Sequence, residues 1–119
     1  MSQPDAQTPA VKFWTTESDE TSSDILPNRS DPCAAGIDLR SAVNIDCEPW
    51  SYIMIETGVG FEIPTNFYGK IEGRSGLCAR KGVYLSAGVI DSNYRGTVKV
   101  ILHTTKTAVS IERGERIAQ

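Results

Sequence analysis

Apolar residues along this chain come in short runs that alternate with polar positions, and Gly, Pro, Asn or Ser interrupts them every few residues. Tyr52-Ile53-Met54-Ile55-Glu56 reads as a buried strand. Val59, Phe61 and Ile63 alternate with Gly60 and Glu62, a period of two, and Pro64 ends the run. Tyr68 to Glu72, Val83 to Leu85, Thr97 to Leu102 and Val109 to Ile111 add short strands rich in β-branched or aromatic residues. Val11-Lys12-Phe13-Trp14 supplies a short first one. Many short strands with closely spaced turn signals predict an all-β domain, a barrel or sandwich of the jelly-roll kind. One segment departs from this pattern. Leu77 to Lys81 holds mostly good helix formers, with Ser75 as a candidate N-cap and Gly82 as a stop, and predicts one or two helical turns.

Upstream of the strands the texture differs. Met1 to Ala10 is polar, carries two prolines and has no apolar period, which predicts a disordered tail ahead of one β domain over residues 11–119. Thr15 to Pro32 is acidic and Ser/Thr-rich, with Pro27 and Pro32 as breakers, and predicts mostly loop. At 119 residues the chain suits a single domain with a real core. Its net charge of −3 excludes a nonspecific grip on nucleic acid, yet leaves room for a nucleotide held by a few local cations. No apolar run approaches the ~20 residues of a membrane span, and the N-terminus lacks a signal-peptide pattern. Cys33, Cys47 and Cys78 are odd in number and widely spaced, which predicts free thiols in a reducing compartment, the cytosol or nucleus. Asn28-Arg29-Ser30 matches a glycosylation acceptor by chance, and His103 reads as a structural strand residue.

Four stretches carry candidate chemistry. In Ala35-Gly36-Ile37-Asp38-Leu39 a carboxylate beside a glycine, at a strand start, can face a metal-bound water or simply shape a turn. In Gly73-Arg74-Ser75-Gly76-Leu77, a strand-to-helix junction, Arg74 offers a forked donor and Ser75 a hydroxyl. Gly76 there lets phosphate oxygens approach the backbone, and the bland alternative is a capped helix beside a solvated arginine. Ala87 to Gly96 lies between two apolar strands and reads as a hairpin with Ser92-Asn93 at its tip. Its backbone can face a base edge, Asp91 can act as a general base on water, and Tyr94 can pack on a sugar. Gly114-Glu115-Arg116-Ile117-Ala118-Gln119 reads as a turn followed by a strand start.

In this order and spacing, from about Val11 to Gln119, the four stretches resemble the signature motifs of the trimeric dUTPase family. The resemblance implies a jelly-roll-like barrel and hydrolysis of dUTP to dUMP and pyrophosphate, which keeps uracil out of DNA and supplies dUMP for dTMP synthesis. It implies that Asp38 holds, through water, the Mg²⁺ chelated by the triphosphate. It assigns phosphate oxygens to Arg74, Ser75, Gly76 and Gln119, and the uracil edge to Gly88, Val89, Ile90 and the Lys99 backbone. Asp91 then positions and activates the attacking water, and Tyr94 packs on deoxyribose and leaves no room for a 2′-hydroxyl. The resemblance further implies a homotrimer with sites shared between subunits.

Three departures stand out. Gly73 occupies a place where the family commonly has proline, and Asn93 one where it often has aspartate. The family's last strands and glycine-rich fifth motif do not follow Gln119, so the chain is expected to be a truncated form with reduced activity. Two rival readings fit the same residues: a noncatalytic dUTPase-like binding module, and a dCTP deaminase of the same superfold. The deaminase usually has a second serine where Gly76 stands and lacks the Asp-x-x-Tyr-Arg-Gly pattern of Asp91 to Gly96.

Overall fold

A computed structural model describes residues 10–119, so the expected disordered tail lies outside the described residues except for Ala10. Eleven strands and two short helices follow. The strands are β1 (Lys12–Thr15), β2 (Leu39–Arg40), β3 (Ile45–Cys47), β4 (Tyr52–Glu56), β5 (Val59–Glu62) and β6 (Gly69–Lys70). Then come β7 (Tyr84–Ser86), β8 (Val89–Ile90), β9 (Lys99–His103), β10 (Val109–Ile111) and β11 (Arg116–Ala118). They pair antiparallel as β1–β5, β3–β10, β2–β11, β6–β8 and the three-stranded β4–β9–β7. No pairing joins strands that are consecutive in the chain, so ladders from both ends of the chain wrap one interior. This is the expected all-β, jelly-roll-like architecture.

The interior follows from the period of two. Along β9, Val100 and Leu102 are buried while Lys99 is exposed, and along β10 Val109 and Ile111 face in while Ser110 faces out. They pack with Ile25, Ile55, Val59, Phe61, Leu77 and Ile117 in one core. Each such side chain contributes ~1.5–3 kcal/mol of apolar burial. On the outer face of β4–β9–β7, the register aligns Tyr52, His103 and Tyr84. The imidazole of His103 stacks on Tyr84 at 4.7 Å between ring centroids, and its Nε2 lies 2.8 Å from Ser86 Oγ.

One expectation holds and one needs correction. The stretch from Thr15 to Pro32 is mostly loop, interrupted by a one-turn helix, α1 (Asp19–Ser22). Its acidic residues Asp19 and Glu20 fall in the first turn, where the backbone dipole favours negative charge. The later helix, α2, spans Ser75–Lys81, and its N-cap is Arg74 rather than Ser75. Arg74 has extended backbone angles and Ser75 is already helical, so the Ser75 hydroxyl is not used as a cap. The stop is as expected: Gly82 adopts φ +65° and donates its N–H to the Cys78 carbonyl.

Candidate active site

Three of the four stretches meet around one buried carboxylate. Asp38 sits just before β2, where its N–H donates to the Asn28 carbonyl at 2.8 Å. Its side chain is 7% exposed, with Oδ1 3.5 Å from Arg74 Nε and Oδ2 3.5 Å from Arg116 Nη1. Asp38 Oδ2 is buried without a hydrogen-bond partner. A carboxylate removed from water between two guanidiniums is held by charge, and losing either partner would be costly. β11 pairs with β2 through an irregular step between Arg116 and Ala118, and that pairing carries Arg116 to Asp38.

Gln119 joins the same cluster. Its backbone exchanges two hydrogen bonds with Glu72, at 2.8 and 3.0 Å, and its Nε2 donates to the Gly73 carbonyl at 3.3 Å. The side chain of Gln119 also lies 3.6 Å from where a Cβ on Gly36 would stand. Asp38, Arg74, Arg116 and Gln119 thus form a cationic cradle beside the start of α2. Ser75 and Gly76 are exposed at its edge, and a Cβ on Gly76 would meet nothing within 4 Å. Arg116 was not among the residues singled out from the sequence. A charged residue in the fourth stretch, three positions before Gln119, was the available signal.

The third stretch builds a separate cavity of about 230 Å³. Its wall includes Gly88, Val89, Ile90, Asp91, Tyr94 and Lys99, with Met54, Ile71, Val98 and Ile101. β7 and β9 are the two arms of a hairpin, and their ladder ends at Ser86 opposite Ile101. Ala87 (φ +57°) and Gly88 (φ +108°) then turn the chain away, so that β8 pairs with β6 instead. The Gly88 carbonyl accepts the Ile71 N–H at 2.7 Å, and a Cβ on Gly88 would lie 2.7 Å from the Ile71 carbonyl oxygen. Only glycine tolerates both that angle and that approach.

At the hairpin tip the Tyr94 N–H donates to the Asp91 carbonyl at 3.0 Å, which leaves Ser92-Asn93 as the turn residues. The Tyr94 hydroxyl donates to the Thr97 carbonyl at 2.7 Å and fixes the ring. The Asp91 side chain is exposed at the mouth. Asp38, Arg74, Ser75, Gly76 and Gln119 are not part of this wall. On one chain, the cradle and the hairpin pocket are therefore separate.

The fit to Mg²⁺ rests on Asp38. Among the described residues no three His, Cys, Asp or Glu side chains converge to hold a metal. One buried, unpartnered carboxylate oxygen beside two arginines does not make a resident metal centre. It does suit an Mg²⁺ that keeps its waters and arrives on phosphate oxygens.

Fold and site together define a class: an antiparallel, jelly-roll-like β domain with a cationic cradle and a small hairpin pocket. A family profile described as dUTPase matches residues 23–119. The chain is 43% identical over 99 residues to the deoxyuridine 5′-triphosphate nucleotidohydrolase of Aquifex aeolicus, covering 79% of this chain and 66% of that protein. It is 42% identical over 94 residues to the protein of the same name from Paramecium bursaria Chlorella virus 1, covering 78% and 67% respectively. The chain thus spans about two thirds of the length of these curated relatives, 66% and 67%. Among solved structures, a Staphylococcus bacteriophage 80alpha dUTPase superimposes with a TM-score of 0.82 at 23% identity, covering 94% of this chain and 88% of that one. A phage phi11 dUTPase, described with a structural Mg(II) ion, gives 0.82 at 20% identity over 93% and 88%. The chain belongs to the dUTPase family.

Proposed function

We propose that this chain is the core of a dUTP pyrophosphohydrolase, working on Mg²⁺-bound dUTP to give dUMP and pyrophosphate. The observation that carries the proposal is the hairpin pocket, where Asp91, Tyr94 and the Lys99 position share one wall. The names of the relatives support the substrate.

In this reading the uracil edge lies against Gly88, Val89, Ile90 and the Lys99 backbone. A thymine methyl would be crowded there, and a cytosine amino group would put a donor where the backbone expects an acceptor. Tyr94 packs on the deoxyribose and leaves no space for a 2′-hydroxyl. Asp91, open to solvent, orients a water and takes its proton as the water oxygen bonds to the α-phosphorus. The bond from the α-phosphorus to the bridging oxygen breaks, and that oxygen leaves with pyrophosphate. Arg74, Ser75, Gly76 and Gln119 hold phosphate oxygens, and Arg116 adds a second guanidinium. Asp38 would hold Mg²⁺ through water, and the ion when bound offsets triphosphate charge. Because cradle and pocket are separate on one chain, the proposal includes a homotrimer whose sites combine parts of neighbouring subunits. It also includes one β domain over residues 11–119 and a reducing compartment, cytosol or nucleus, argued from the odd number and wide spacing of Cys33, Cys47 and Cys78.

Pyrophosphate release with Mg²⁺ and each of dUTP, dCTP, dTTP and UTP tests the proposal. Release from dUTP alone is expected. Equal release from UTP, or ammonia from dCTP, would overturn it.

A further inference from the structure

The wall of the hairpin pocket is held from behind by a residue that does not touch the pocket. Thr57 is fully buried, at the corner where β4 hands over to β5. Its Oγ1 donates to the Val98 carbonyl at 2.6 Å, and its backbone N–H donates to the same oxygen at 3.1 Å. The Val98 N–H donates in turn to the Val59 carbonyl at 2.7 Å. Three hydrogen bonds thus fix both faces of Val98, itself buried, and the next peptide begins the strand that lines the pocket.

Peptide geometry carries that grip into the cavity. In a trans peptide the carbonyl and the following N–H point in opposite directions. With the Val98 carbonyl clamped toward Thr57, the Lys99 N–H is aimed the other way. The ladder gives the same result: Glu56 is opposite Lys99, and its carbonyl accepts the Ala42 N–H on its far side, so Glu56 and Lys99 form a non-bonded pair. The Lys99 backbone groups therefore face the β7 side. There the ladder has already ended at Ser86 opposite Ile101, and Ala87 and Gly88 have turned away. What lies between Lys99 and Gly88 is the pocket.

We propose that Thr57 is a positioning residue for base recognition: its buried hydroxyl, with its amide, holds the Val98 carbonyl and so aims the Lys99 N–H at the ligand's pyrimidine edge. The inference rests on the hairpin pocket being the uracil site. A threonine is suited to the task because the Val98 oxygen keeps the Thr57 amide as a donor when the hydroxyl is removed. Thr57→Val should therefore fold, with a looser Val98–Lys99 peptide and no orphaned carbonyl.

The test is calorimetry on the full chain with dUMP, dCMP and pyrophosphate, for the wild type, Thr57→Val and Thr57→Ser. Thr57→Val should bind dUMP roughly three- to tenfold more weakly, lower the dUMP/dCMP preference by a similar factor, and bind pyrophosphate as before. Thr57→Ser, which retains the hydroxyl, should keep the wild-type preference. An unchanged dUMP/dCMP ratio in Thr57→Val overturns the inference, as does an equal loss for dUMP and pyrophosphate. If Thr57→Val does not fold, the wild-type Lys99 amide decides: its NMR resonance must shift on adding dUMP, and an unmoved resonance overturns the inference. A wild-type protein that does not distinguish dUMP from dCMP would instead overturn the base-site reading beneath it.

Discussion

Replacing Gly76 by alanine adds one methyl group at a point where the protein has nothing within 4 Å. The two consequences have opposite signs and can be measured apart. Gly76 is the second residue of the α2 helix, and glycine there costs up to ~1 kcal/mol relative to alanine. A first-turn position recovers about half of that, so the melting temperature should rise by roughly 1–3 °C. The ligand side is larger. A phosphate oxygen taking a charge-assisted bond from this backbone gains about 1.5–3 kcal/mol, and an interposed methyl forfeits most of it. The expected loss in kcat/KM for dUTP is roughly 10- to 100-fold. A melting scan, pyrophosphate release and binding of deoxyuridine, which has no phosphate, form the assay. Deoxyuridine affinity should not move. A variant that melts higher and still turns over dUTP at the wild-type rate would refute the reasoning, because phosphate would then not approach Gly76.

Three further outcomes follow from single groups. Asp91→Asn should lower turnover by about 10²–10⁴ with little change in stability, since the side chain is exposed; full activity would remove its role as base. Tyr94→Ala should relax discrimination against UTP while Tyr94→Phe keeps it, because the ring is the proposed gate and the hydroxyl only anchors it to Thr97; competition between dUTP and UTP reads this out. Glu17 is bonded to the Arg113 guanidinium at 2.6 and 3.0 Å, and this holds its carboxyl below the usual range. A folded-state value below the unfolded one means stability present above the unfolded value, about 4.3, and lost as pH falls through the folded one. Glu17→Gln should therefore lower stability at neutral pH and flatten its fall in acid, followed by urea unfolding at several pH values.

The strands most legible in the sequence were those with strict alternation. Val109–Ile111 matches the observed β10 because inward Val109 and Ile111 flank outward Ser110, whereas Tyr52–Glu56, read as a buried strand, forms β4 with Ile55 buried but Tyr52 and Met54 exposed. β3 was missed because Ile45-Asp46-Cys47 has a single β-branched residue beside an aspartate, a poor strand former, and owes its pairing to β10, far along the chain. The α1 helix was missed because one turn of Asp, Glu, Thr and Ser has no apolar period to announce it. The same distinction divides the site. Asp38, Arg74, Asp91 and Tyr94 stood in stretches whose local chemistry was readable. Arg116 and Thr57 owe their places to ladders, β11 against β2 and the β4–β9 corner, and a lone Arg or Thr announces neither.

The separation of cradle from pocket has a consequence that mixing experiments can reach. If one dUTP must occupy both, its base enters the hairpin of one subunit while its phosphates lie in the cradle of another. Arg74→Ala damages only the cradle and Asp91→Asn only the hairpin, so each homo-oligomer should be nearly inactive. In a mixed closed ring a site is intact when its hairpin comes from an Arg74→Ala subunit and its cradle from an Asp91→Asn subunit. Random assembly at equal amounts gives that combination with a probability of one half for each part, hence about a quarter of wild-type activity. The two variants, coexpressed or refolded together, should recover activity to that level in a species sedimenting as a trimer. Sites contained within one chain would give no recovery, because every site would still carry one lesion. No recovery, or a monomer that binds dUTP as tightly as the oligomer, would show the shared-site reading to be wrong.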